Sequence, residues 1–365
     1  MPFSLAERLR ELIRHEGPIT FHDWMKAALY DPLGGYYQRS DRERWGREGD
    51  YRTSPERSDL FAATFARYFA KLHDELQRPE EWTIVECGAG DGRFAAGVLR
   101  TLAERFPRVF VATKYIVYES SGDALMRARE RLGEFGERVE FTADFESVSG
   151  SRGIYFSNEF FDALPVHRVV NEGDGLSELH VTVGSSGSFE WITGPLSTRR
   201  LSEFVRKYSL ELAPGQIIEI NLALDDWLVQ IAARLENGFL IAVDYGAEAV
   251  ELYDPMRRPQ GTLRAFSRHS FVDDLLAQPG EYDITSSVNW TQFKAVGERL
   301  GFRVVDFASQ DKFLLNAGLL DEMGLMLEKL DSVAAKLSLS TSAREMILPG
   351  GMASSFQVLV QKREA

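Results

Sequence analysis

The sequence predicts an α/β fold with a doubly wound, mostly parallel seven-stranded sheet, and three observations predict it. Short apolar runs alternate with helix-length segments beyond residue 79. A glycine-rich turn comes directly after the first of these runs and opens a helix. The 365 residues are 44% hydrophobic and 27% charged, enough for one large core carrying insertions, which excludes disorder and collagen-like structure.

The chain reads in order as an N-terminal helical region, 1–78, then a core domain, 79–365. Met1 to Glu16 forms a short amphipathic helix with Leu5, Leu9, Leu12 and Ile13 on one stripe. Its Glu7 and Glu11 argue against a transit peptide, and it lacks the apolar run of a signal peptide. Ser54 is placed to cap a second helix with Pro55 at its first position. Leu60, Phe61, Phe65, Tyr68, Phe69, Leu72 and Leu76 continue that helix's apolar face. After Arg78-Pro79 come strand candidates at Thr83 to Cys87, Tyr115 to Tyr118, Arg138 to Thr142, Gly153 to Ser157 and Gly238 to Val243. Phe302 to Phe307 and Ser355 to Gln361 complete the seven, as an antiparallel pair at one edge.

Three stretches exceed a minimal α/β wrap and read as insertions at about 166–215, 250–290 and 312–348. Val166 to Ile192 alternates apolar and polar residues around glycine turns, as a β-meander does. Asp254 to Trp290, rich in Pro, Gly and Asp, reads as long loops, and Phe313 to Leu348 as helix. Trp290 has no assignable partner at this level.

Charge and cysteine content narrow the function. Against 42 Lys and Arg stand 55 Asp and Glu, a formal net charge of -13, which disfavours nucleic acid and anionic membranes as partners. No stretch approaches the roughly 20 apolar residues that span a bilayer. Cys87, the single cysteine, offers no disulfide or zinc framework, so no metal is expected and a reducing cytoplasm fits. On an apolar strand it reads as a small core residue.

The most informative segment is Ile84-Val85-Glu86-Cys87-Gly88-Ala89-Gly90-Asp91-Gly92-Arg93-Phe94. A dinucleotide fingerprint needs a third glycine where Arg93 stands, and no Gly-Lys-Ser/Thr comes after it, so neither a nicotinamide nor a phosphate-loop site is indicated. The remaining pattern, Glu86-x-Gly88-x-Gly90-x-Gly92, resembles the first motif of class I S-adenosylmethionine-dependent methyltransferases. That resemblance implies Glu119, ending the next strand, as acceptor of the ribose hydroxyls. Asp144 would accept from the adenine amine, with Phe145 packed on the base.

The resemblance becomes specific at Ser157-Asn158-Glu159-Phe160-Phe161-Asp162-Ala163-Leu164-Pro165. With Tyr30-Asp31-Pro32-Leu33-Gly34-Gly35-Tyr36-Tyr37, Gly49-Asp50-Tyr51-Arg52-Thr53-Ser54-Pro55-Glu56, Val243-Asp244-Tyr245-Gly246 and Gly261-Thr262-Leu263-Arg264, the chain resembles the MidA-type methyltransferase family over nearly its whole length. The resemblance implies S-adenosylmethionine as cofactor and an arginine of a protein partner, such as a respiratory-complex subunit, as acceptor. It departs from the family at Ser54, where Ala is favoured, and at Asn289-Trp290, where an Asp-Phe pair is usual; the second change removes a carboxylate from a candidate substrate region.

Methyl transfer from a sulfonium is an in-line displacement, so the enzyme must align nucleophile and methyl about 3 to 3.5 Å apart. An arginine acceptor also needs carboxylates to orient its guanidinium. Glu159, with Asn158 and Asp162, is the candidate catalytic group; the alternative is that Asn158 and Asp162 cap the turn after the strand, a reading of equal weight for Asp162. Asn158 also frames the methyl donor, over which Thr53, Pro55 and Glu56 are candidate covering residues or merely a capped helix start. Tyr245, His269 and Asp283 are candidate acceptor-lining residues. The alternatives are a small-molecule acceptor and a non-catalytic, cofactor-binding assembly factor, and the inserted segments are compatible with a homodimer.

Overall fold

The computed structural model describes residues 3–39, 59–267, 270–348 and 355–364. The chain divides into two compact units: Met1–Tyr51, Phe161–Trp227 and Gly246–Ala295 form the first, and Arg52–Phe160, Leu228–Tyr245 and Val296–Ala365 the second. The boundary expected at residue 78 falls inside the second unit, where helix Asp59–Glu75 packs on helix Arg93–Arg105.

The second unit is built on the expected sheet. Its strands are Trp82–Cys87, Thr113–Tyr118, Val139–Thr142, Arg152–Asn158, Asn237–Ala247, Phe302–Ser309 and Phe356–Arg363. Numbered along the chain, they lie in the order 3-2-1-4-5-7-6. The first five are parallel, and the seventh runs antiparallel to both its neighbours. Strands buried on both faces must be apolar throughout, which is why continuous apolar runs mark them in the sequence. On one face Phe94 stacks on Phe156 at 4.4 Å between ring centres, and Phe65 meets Phe156 edge-on at 5.1 Å. Burying each of these rings contributes about 1.5–3 kcal/mol. The last insertion is helical as expected, in three pieces: Gln310–Asn316, Leu319–Lys329 and Val333–Ile347. Glu322, only 1% exposed, pins the middle piece by accepting from Arg105 and Arg67.

The first unit carries helices Leu5–Glu16 and Phe21–Tyr30, the former opened by a Ser4–Glu7 capping box. Strands His167–Asn171, Leu176–Val183 and Phe189–Gly194 are the expected meander, joined on the far side of the first by Ile217–Ile220. The segment from Asp254 to Trp290 differs from the loops expected. It contains a three-stranded sheet of Arg264–Ser267, Ser270–Phe271 and Asp283–Thr285, and a short strand Val288–Asn289. Runs of two to four residues are too short for alternation to reveal them.

Candidate active site

The first strand ends at Cys87, and the chain turns at once through Gly88 to Gly92 into helix Arg93–Arg105. Gly88, Gly90 and Gly92 have φ of 72°, 56° and 75°, the left-handed region that costs other residues about 1–2 kcal/mol. Gly88 is also crowded, since a Cβ there would stand 2.8 Å from Cδ2 of Phe160. The N–H groups of Gly88 and Ala89 donate to the Tyr118 carbonyl at 2.9 and 3.2 Å, tying the turn to the end of the second strand.

Parallel register brings the expected residues to one edge. Cys87 is paired with Tyr118 and with Ser157, so Gly88, Glu119 and Asn158 each come next at the carboxyl ends of adjacent strands. That edge is where open α/β sheets bind ligands. Glu119 spans the turn: one oxygen accepts from Gly90 N–H at 2.9 Å, the other from Ser121 N–H at 2.8 Å. Asp144 lies just beyond the third strand, exposed, with its carboxylate capping the turn of Phe145–Ser147 through Glu146 N–H at 2.9 Å. Phe145 is buried edge-on against Tyr118 at 5.1 Å, with the Arg234 guanidinium 4.9 Å above its ring.

Glu86 points into the core, where its carboxylate accepts from the Tyr115 hydroxyl at 2.8 Å. Burial, opposed by that hydrogen bond and reinforced by the charges of Asp91 and Glu119, pushes its pKa up to about 8. That upward shift favours the protonated carboxyl at neutral pH. Burial likewise pushes the Cys87 thiol up, which leaves it an inert core group as expected.

At the end of the fourth strand, Asn158 Nδ2 donates to Glu159 Oε1 at 3.2 Å, and Asn158 Oδ1 is buried without a partner among the described residues. Glu159 adopts φ 52°, unusual for a residue with a side chain. Its N–H donates to the Val243 carbonyl at 2.9 Å. The fully buried Asp244 braces both strand ends, accepting from Phe160 N–H at 3.3 Å and Tyr245 N–H at 2.9 Å. Tyr245, a candidate acceptor-lining residue, lies on the fifth strand, against Phe356 at 5.4 Å.

Asp162 and Asp283 belong to the first unit. Asp162 is 4% exposed and its carbonyl accepts from Ser286 N–H at 2.9 Å; Asp283 accepts from the Tyr37 hydroxyl at 2.6 Å. Thr53, Pro55, Glu56 and His269 lie outside the described residues. Asn289 corrects an expectation. It caps helix Trp290–Arg299 through Gln292 N–H at 3.0 Å, and its amide donates to the Tyr253 hydroxyl at 3.1 Å, so the amide is a buried structural group. Trp290 is fully buried, 5.7 Å from Phe293.

Sequence reasoning missed Asp244, Tyr115 and Arg131 as supports of this edge. Asp244 lies within Val243-Asp244-Tyr245-Gly246, an acid in an otherwise apolar strand, and that contrast is a signal that could have found it; the other two carry no local signal. Among the described residues no His, Cys, Asp and Glu group could hold a metal, and no helix is long and apolar enough to cross a membrane. A groove bordered by Trp82, Thr83, Lys114, Arg138 and Arg152 opens at the amino ends of the strands, away from this chemistry. The residues at the carboxyl edge instead suit an adenosyl sulfonium: a glycine turn that admits close approach, the Glu119 carboxylate beside it, and the buried oxygen of Asn158, without a partner among the described residues.

Comparison with known proteins agrees with this geometry. A Drosophila melanogaster protein named "Protein arginine methyltransferase NDUFAF7 homolog, mitochondrial" is 27% identical over 82% of this chain and 71% of its own length. Its Xenopus tropicalis counterpart is 25% identical over 92% and 80%. A crystal structure from Burkholderia thailandensis, bound to S-adenosyl-homocysteine, matches with TM-score 0.85 at 30% identity over 98% of this chain and 92% of that one. Residues 64–308 match the family model described as "Putative S-adenosyl-L-methionine-dependent methyltransferase". The chain belongs to this S-adenosyl-L-methionine-dependent methyltransferase family, the MidA-type family its motifs resemble.

Proposed function

We propose that this enzyme transfers the methyl group of S-adenosylmethionine to a guanidinium nitrogen of an arginine in a protein partner. The observation that carries the reading is the carboxyl edge itself, where Glu119 meets the glycine turn beside Asn158 and Glu159. The names of the curated relatives support the choice of arginine.

When bound, the cofactor would supply an electrophilic methyl, its S–CH3 bond breaking as the N–CH3 bond forms, with S-adenosylhomocysteine released and the displaced proton passing to solvent. Glu119 takes the ribose hydroxyls, Asp144 the adenine amine and Phe145 the base. The three glycines and Asn158 hold the remainder, while Glu86, turned into the core onto Tyr115, braces the strand end beneath them. Glu159, assisted by Asn158, orients the guanidinium so that one nitrogen presents its lone pair in line, a task for which a carboxylate is suited. The left-handed Glu159 supports this role, since a strain of order 1–3 kcal/mol at a non-glycine residue persists where function requires the side chain. Tyr245 lines the acceptor's approach.

The test is transfer of labelled methyl to lysate protein by the purified enzyme, with hydrolysis of the product to identify the modified residue. Methylarginine is the expected product; label only in a small soluble molecule overturns the protein acceptor, and no transfer overturns catalysis. Glu159→Gln should lower turnover at least tenfold with little change in S-adenosylhomocysteine affinity; equal turnover would remove Glu159 from the mechanism. The curated relatives named here are mitochondrial. For this chain we propose a reducing, cytoplasmic setting, supported by its one buried free thiol, and a homodimer, which a sedimenting species of 41.2 kDa alone would exclude.

A further inference from the structure

We infer that Arg131 is a positioning residue of the donor site, holding the glycine turn in its ligand-ready shape through Asp91. The inference rests on the S-adenosylmethionine reading of that turn.

Arg131 lies in the last turn of helix Gly122–Leu132, forty residues beyond Asp91 in sequence. Its guanidinium makes two contacts with one residue. Nε donates to the Asp91 carbonyl at 2.9 Å, and Nη2 donates to Asp91 Oδ2 at 2.6 Å. The other carboxylate oxygen of Asp91 accepts from Arg93 N–H at 3.2 Å, at the start of the helix that the turn opens.

Asp91 stands between Gly90 and Gly92, two residues in the left-handed region with no side chain of their own to restrict them. Glycine permits that conformation but does not enforce it. The carbonyl contact fixes the plane of the peptide between Asp91 and Gly92, and the carboxylate contact fixes the Asp91 side chain. On the other side, Gly90 N–H is fixed by Glu119, just before the same helix begins. The turn is thus held from both ends of one helix, by a carboxylate before its start and a guanidinium in its last turn. A lysine could place charge near Asp91 but could not present two donors in a rigid fork.

Arg131 is one-third exposed, so replacing it should leave the fold intact. Calorimetric titration of S-adenosylhomocysteine into the full-length protein, with steady-state kinetics, compares wild type, Arg131→Ala, Arg131→Lys and Asp91→Asn. We expect Arg131→Ala to weaken S-adenosylhomocysteine binding about tenfold, or 1.4 kcal/mol. KM for S-adenosylmethionine should rise in parallel and kcat change less than threefold. Lysine should restore part of the loss, and Asp91→Asn, which keeps its carbonyl, should fall between. Equal affinity in wild type and Arg131→Ala overturns the inference, as does a fall in kcat without a change in KM. Should Arg131→Ala not fold, unchanged affinity in both Arg131→Lys and Asp91→Asn overturns it. Failure of the wild-type protein to bind S-adenosylhomocysteine instead overturns the donor-site reading on which the inference stands.

Discussion

Adding one methyl group at Gly88 tests whether the turn is as tight as its geometry indicates. Gly88→Ala places a side chain at φ 72°, which costs about 1–2 kcal/mol for the left-handed conformation. The new Cβ would also stand 2.8 Å from Phe160 Cδ2 and 3.6 Å from Cε2. The ring must move, because the backbone of Phe160 is tethered by Asp244, which is itself fully buried. Overpacking of this kind adds about 1–3 kcal/mol, so the total is roughly 2–5 kcal/mol, shared between the fold and the donor site. Urea denaturation monitored by circular dichroism measures the first part, and calorimetric titration of S-adenosylhomocysteine the second. Gly122→Ala is the control: φ there is not positive and nothing lies within 4 Å of its Cβ, so it should be neutral or stabilising by about 0.4–1 kcal/mol. Stability within about 0.5 kcal/mol of wild type, with unchanged affinity, would refute the argument that close approach of Phe160 dictates glycine at this position.

Two further predictions concern buried polar groups. Folding raises the Glu86 pKa from 4.5 to about 8, so its stability contribution is full below 4.5, falls as pH rises, and levels off above about 8. Glu86→Gln carries no proton to lose and should gain on wild type by a few kcal/mol between pH 5 and pH 9; parallel pH profiles in denaturation would show that Glu86 is ionised in the folded protein. At Asn289, the Tyr253 hydroxyl already donates to the Glu219 carbonyl at 3.2 Å, so it can only accept from the neighbouring amide. Asn289→Asp sets an acceptor against that oxygen and should cost about 1–3 kcal/mol at neutral pH, less in acid where the carboxyl regains a proton. A variant as stable as wild type at pH 7 would contradict this hydrogen-bond assignment.

The sequence by itself determined the sheet strands, because segments buried on both faces must be apolar throughout, and it determined the glycine turn, because only glycine occupies three left-handed positions so close together. It also placed Glu119 and Asn158 at strand ends, since parallel strands alternating with helices put all their carboxyl ends on one edge. Tertiary structure alone decided what those residues do there. That Glu119 reaches Gly90, that Arg131 grips Asp91, that Asp244 holds Phe160 and that Tyr37 meets Asp283 are pairings across 29, 40, 84 and 246 residues. The partition into units, with one of its boundaries between Phe160 and Phe161, was equally hidden, as were the short strands after Asp254. Periodicity reports only whether an element is buried, and to what depth; which distant groups meet is settled when the chain packs and each buried donor and acceptor must find a partner.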